Sequence, residues 1–287
     1  MSVLSRSLFA TRCVRVAAWL VLLLPGTLQA GVVINPLAWG LNPGDTFRLV
    51  VVTAGGTTGV STSASDYDTF VNSQGLAGIT YDGASLQWQA IVGTPSSNPR
   101  NDATRFSSQA NAVRVYNLNG GLVSNPTISD RKFWQTSGQH LAAIDWTING
   151  SGNLAQVSAF QFVWTGFDRG GSPAQAEDYD QFGSSQGTVT AALGEAVSYN
   201  DYEFDFDSFT FSLVPKTLYP FVGRAGALAN GWAAIGNDPL STSYPVYAMS
   251  GLITVTAAAV PEPSTWALAL AGLTCFGYTV ARRRPRA

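Results

Sequence analysis

The sequence predicts a strand-rich α+β fold: one loop-rich domain at 31–256, an N-terminal signal helix within 1–30, and a short hydrophobic helix within a terminal segment at 257–287. Three observations predict it. Alternating and apolar runs of strand length outnumber helix-period runs, stretches rich in Gly, Ser and Asn separate them, and a basic, apolar segment stands at each end of the 287-residue chain. A stretch the size of 31–256 can bury a core of its own and suits one domain.

Residues 45–53 read as a strand that becomes fully buried toward its end, and Gly55, Gly56 and Gly59 turn the chain after it. Ser63 with Asp66 three residues later is a capping-box pattern, and Tyr67, Phe70 and Val71 recur at i, i+3, i+4. A short helix stopped at Gly75 follows. Residues 86–92 form the next strand, and 94–101, with Pro95 and Pro99, an irregular loop. Strand 113–116 turns at Asn119-Gly120-Gly121 and pairs back through 122–123 as a hairpin. Further strands are expected at 141–148, 159–166, 188–192 and 202–213. In the last, Tyr202, Phe204 and Phe206 alternate with Glu203, Asp205 and Asp207. Pro215 is expected to end it, 219–222 adds a short piece, and 246–255 closes the domain beside the terminal segment.

The two ends are targeting devices. Arg6, Arg12 and Arg15 precede an apolar stretch at 16–24, a Pro25-Gly26 break and Leu28-Gln29-Ala30, the order of a secretory signal peptide cut after Ala30. At the other end, Pro261 and Pro263 remove backbone donors on either side of Glu262, which keeps Val260 to Ser264 extended and accessible to a processing enzyme. The apolar run 266–281 spans roughly 24 Å as a helix, short against a hydrocarbon core of ~30 Å. It can dwell in a membrane but makes a poor permanent anchor. Arg282, Arg283, Arg284 and Arg286 hold that end on the cytoplasmic side, so everything before Val260 lies outside the cytoplasm.

Between the ends stand nine basic and seventeen acidic residues, a net charge of −8. An acidic body with scattered arginines excludes nucleic-acid binding, which needs a concentrated positive face. Cys13 and Cys275 both fall in the targeting segments, so neither a disulfide nor a thiolate metal site is available to the domain.

Val260-Pro261-Glu262-Pro263, the short apolar span and the arginine-rich end resemble the PEP-CTERM sorting signal of exported bacterial proteins. The resemblance implies a membrane-embedded sorting protease of the exosortase type acting near Pro261 to Ser264. It also implies a precursor held transiently in the inner membrane of a Gram-negative bacterium, and a host that makes exopolysaccharide. The order of Trp88-Gln89-Ala90, 115–120, Val163-Trp164-Thr165-Gly166 and 246–250 resembles that of C-type-lectin-like domains, which implies a sugar-binding role.

Catalytic material is sparse. Gly183-Ser184-Ser185-Gln186-Gly187 satisfies G-x-S-x-G, but an acidic loop precedes it, a strand follows it, and the one histidine, His140, comes earlier in the chain. Ser129-Asp130-Arg131-Lys132 matches S-x-x-K without its companion motifs. The repeat of D-Y-D-x-F-x-x-S-Q-G at 66–75 and 178–187 does not extend into its flanks and reads as coincidence. Glu177, Asp178 and Asp180 in a loop and Asp201, Glu203, Asp205 and Asp207 along a strand are oxygen-rich. Asp178, Asp180, Asp205 and Asp207 are candidate Ca²⁺ ligands, with a solvated polar face as the plainer account. Trp134 and Trp232, in polar or Gly-rich surroundings, are candidate sugar-stacking aromatics.

These readings point to an exported, non-enzymatic surface or extracellular-matrix protein that binds extracellular polysaccharide. The alternatives are a calcium-dependent adhesion module and a polysaccharide hydrolase whose paired carboxylates would stand about 5 to 9 Å apart.

Overall fold

A computed structural model of the chain describes Val32 and residues 34–257, apart from 135–139, 169–170, 181, 183, 206–207 and 229. The signal helix, its cleavage point and the sorting segment lie outside the described residues. Among the described residues no helix is long and apolar enough to cross a membrane.

The domain is built on the strand Thr46–Val52. It pairs in parallel with Arg114–Asn117 on one side and antiparallel with Tyr247–Ser250 on the other, and Ile253–Thr254 pairs with its first residues. Trp88–Ala90 and Leu122–Ser124 complete the sheet at its two edges. The closing strand thus lies beside the opening one.

All residues of Thr46–Val52 after the first are buried, because both faces of this sheet are covered. Phe47, Leu49 and Val51 enter a core with Tyr67, Val71, Trp88, Tyr116 and Trp164. Val50 and Val52 point the other way, into a core with Phe133, Trp134, Phe167, Trp232 and Tyr247. A period of two therefore feeds two separate cores.

The expected helix forms at Ala64–Ser73 and is followed by Gly75 at φ 77°. Its first turn differs from the capping box. Ser63 makes no side-chain cap bond; Ser61 Oγ instead donates to Asp66 at 2.7 Å. The hairpin Arg114–Asn117/Leu122–Ser124 forms as expected, its turn held by Asn117 Oδ1, which accepts the N–H groups of Asn119 and Gly121. The expected strand at 159–166 contracts to Phe162–Trp164, and that at 141–148 to Trp146–Ile148.

Two long hairpins form an arm on this body. In the first, Ala174–Tyr179 pairs with Ser185–Ala191; in the second, Val197–Asp205 pairs with Thr210–Leu218. The second corrects the single strand expected at 202–213. The chain reverses between Asp205 and Thr210, where Phe209 takes φ 52°. Pro215 does not end the strand. It sits opposite Asn200, whose N–H leaves the ladder to donate to Asp178 Oδ1 at 2.8 Å, so a missing donor at this pair costs no ladder bond. Glu177 and Asp178 likewise lie on a strand rather than in a loop. Ala174, Ala191 and Leu218 bury the base of the arm, with Val197, Tyr199 and Phe221 packed against them.

Candidate functional site

Trp134 and Trp232 are core residues, which corrects the expectation of surface aromatics. They are 1% and 0% exposed, 5.6 Å apart between ring centroids, and packed with Phe133, Phe167 and Tyr247. The Gly-rich surroundings that suggested exposure have a packing cause. A Cβ on Gly223 would stand 2.0 Å from the carbonyl oxygen of Trp232, so the glycine lets that backbone approach. His140 joins the same cluster, 5.0 Å from Trp232 and 5.2 Å from Phe133. It is buried, and its Nε2 lies 3.2 Å from the Phe133 carbonyl oxygen.

Of the candidate calcium ligands, Asp207 lies outside the described residues. Asp178 accepts from Asn200, while Asp180 caps its own turn by accepting from the N–H groups of Phe182 and Ser184. Asp205, which accepts from Ser208 Oγ, stands five residues beyond Asn200 along the strand, roughly 17 Å from it. Asp178 and Asp205 are therefore not brought together. Among the described residues no three His, Cys, Asp or Glu side chains converge to hold a metal ion.

Two clefts open on the body. One of about 490 Å³ is lined by Ser73, Gln74, Ile79, Ile148 and Asn149. The other, of about 550 Å³, is lined by Thr94, Ser97, Asn98, Phe167 and Glu195. Among the described residues, neither lining brings two carboxylates together.

The arm presents the more distinctive surface. In the second hairpin, cross-strand partners share a face, so Tyr202 with Leu213 and Phe204 with Phe211 form one side. Asp201, Glu203 and Asp205 form the other, with Lys216. The ring centroids of Tyr202 and Phe211 are 5.7 Å apart, those of Phe204 and Phe211 4.9 Å, and those of Phe204 and Phe209 6.1 Å. Tyr179 of the first hairpin continues the row at 6.3 Å from Tyr202, and its hydroxyl donates to Glu177. Phe209 is 79% and Phe211 63% exposed, and Phe182, in the turn of the first hairpin, is 79% exposed. Large rings in such a row are ordinarily buried.

On the opposite face, Lys216 Nζ bridges Asp201 at 2.7 Å and Glu203 at 2.6 Å. The hydrogen bond to Lys216 holds the Asp201 carboxyl below its usual range, and Asp201, then Glu203, push the Lys216 ammonium up.

The sequence alone hides the aromatic row. Alternation at 202–206 indicates an aromatic face and a polar one, and the ordinary inference buries the aromatic one. The available signal is Asp207-Ser208 between two alternating runs, a turn composition that makes the stretch a hairpin.

The described residues thus form a two-core body that bears an exposed aromatic arm. The chain carries the PEP-CTERM protein-sorting motif at residues 259–284. It is an exported protein, sorted through exosortase, a membrane protein, to the cell envelope or surface of a Gram-negative bacterium. No curated protein and no solved structure matches the chain.

Proposed function

We propose that the mature domain is a non-enzymatic surface or extracellular-matrix protein that binds polysaccharide through the aromatic face of its arm. An exosortase-type protease cuts the precursor within Val260 to Ser264 while the apolar run 266–281 sits transiently in the inner membrane.

The observation that carries this reading is the row from Tyr179 through Tyr202, Phe211 and Phe204 to Phe209. Exposed rings in a row, turned by 30° to 80° from one to the next and bordered by hydrogen-bonding side chains, suit a polymer of pyranose rings, whose C–H faces pack on aromatics while their hydroxyls find acceptors.

The test has two parts. Mass determination of the mature C-terminus, from cell-surface and medium fractions, should place the new end within 260–264; an intact chain in both fractions would overturn processing. Co-sedimentation of the purified domain with the host's extracellular polysaccharide should be lost in Phe209→Ser/Phe211→Ser. Equal sedimentation of variant and parent would remove the arm from the function.

A further inference from the structure

The charge of the domain is not spread evenly. Residues 174–218 hold eight of the seventeen acidic residues of 31–256 and one of its nine basic residues, Lys216. Leaving out Glu195, which lines a cleft of the body, the two hairpins of the arm carry −6 of the domain's −8. We propose that the arm's ligand is a cationic polysaccharide, one that bears free amino groups along its chain. This rests on the reading of the arm as a polysaccharide-binding surface and names the chemistry of the polymer.

The arm already shows how it holds an ammonium. Lys216 Nζ sits between Asp201 and Glu203 within 2.7 Å of each. On the aromatic side the carboxylate of Glu177 lies against the Tyr179 hydroxyl at one end of the ring row, and Asp178 stands beside it at Asn200. A sugar ring stacked on Tyr179, or between it and Tyr202, would present its amino group toward the Glu177 carboxylate. Ammonium groups that reach a ring face gain cation–π attraction as well. Many weak contacts along a polymer add through effective concentration.

The same charge argues against other occupants of the face. Two arms at −6 each repel, which opposes a dimer through the rings, and an anionic lipid surface repels the arm for the same reason. A peptide added as a further strand would need a free edge. Pro215 removes a donor from the outer edge of Thr210–Leu218, and Asp178 occupies the Asn200 N–H on the edge of Val197–Asp205.

The experiment measures binding of the mature domain to chitosan oligomers, to the same oligomers fully N-acetylated, and to poly-lysine, at mildly acidic pH and at two salt concentrations. Chitosan should bind at least ~10-fold more tightly than its acetylated form, and the difference should shrink as salt rises. Glu177→Gln should reduce the chitosan preference, and Phe209→Ser/Phe211→Ser should weaken both sugars. Equal binding of the two sugars would overturn the cationic assignment and leave the polysaccharide reading standing. Poly-lysine binding more tightly than chitosan would move the arm to a basic polypeptide partner. No binding to any probe would overturn the cationic assignment, and co-sedimentation with the host's extracellular polysaccharide would then decide the polysaccharide reading by itself.

Discussion

Arg105 and Asp68 form a two-pronged ion pair inside the body, with Nη1 and Nη2 each 2.6 Å from a carboxylate oxygen. Arg105 Nη2 also donates to the Ala90 carbonyl, and Asp68 Oδ1 accepts the Ala90 N–H, so the pair fastens Ala64–Ser73 to the edge strand Trp88–Ala90. The side chains are only 6% and 21% exposed. Removing one partner strands a buried charge, and Asp68→Ala should cost about 3 kcal/mol in urea unfolding. Replacing both, as Asp68→Leu/Arg105→Met, should recover most of that loss. A single-variant loss below about 1 kcal/mol would show that solvent reaches the guanidinium.

Trp232 belongs to the packed interior, and the prediction for it is a stability effect. Trp232→Ala should destabilise by about 3–5 kcal/mol, since a ring surrounded by Phe133, Trp134, His140 and Tyr247 leaves a cavity its neighbours cannot close. Denaturant unfolding checks the cost. Acrylamide quenching of the parent checks the burial: a readily quenched indole at this position would contradict it.

What the sequence made legible follows from how local the cause was. The apolar run at 46–52, the Gly75 stop and the hairpin around Asn117 are written in contiguous residues, and all three appear. Trp134 and Trp232 were not legible, because their cover comes from Phe167 and Tyr247, far along the chain. The two D-Y-D segments show the converse. Asp68, on a helix, pairs with Arg105, whereas Asp180, in a hairpin turn, caps backbone N–H groups, so identical letters took structure from their different neighbours. The exposed face of the arm broke the rule that aromatic strand faces are inside, and it is there that a function is assigned.

The Lys216 cluster gives the arm a defined pH window. Asp201 is held below its ordinary 3.8, chiefly by the hydrogen bond to Lys216, so its contribution is present above that value and is lost as pH falls through the lower folded value. Lys216 is raised above 10.5, first by Asp201 and then by Glu203, so its contribution is present below 10.5 and lost as pH rises through the higher folded value. Amide hydrogen exchange of 197–218 should therefore be slowest between about pH 4 and 10 after correction for intrinsic rates. Lys216→Met should flatten the profile, and an unchanged profile would show that the bridge adds nothing. Both ends of the bridge are solvated, so high salt should weaken the effect.

Alkaline unfolding has a separate origin in buried phenols. Tyr67 is pushed up to about 12 by burial, and Tyr244 to about 12 by burial and then by its hydrogen bond to Asp238. Each favours the neutral ring in the folded state, so the stability is complete below the ordinary 10.0 and is lost as pH rises toward 12. Ultraviolet titration of tyrosinate should resolve a late-titrating class, and Tyr244→Phe should remove one member of it. Complete ionisation near pH 10 with the fold intact would contradict the burial.

Phe209 separates function from stability. Its φ of 52° lies in the left-handed region, which costs a residue with a Cβ on the order of 1–2 kcal/mol and costs glycine little. Its ring is 79% exposed, so little burial offsets that cost. Phe209→Gly relieves the backbone, while the greater freedom of glycine in the unfolded chain returns roughly 0.5–1 kcal/mol of the gain. The variant should melt at the parent temperature or slightly above it and should lose affinity for polysaccharide. A packing residue would behave in the opposite way, lowering the melting temperature first. Retained binding in Phe209→Gly, with the fold intact, would show that the ring is held outward for some other reason.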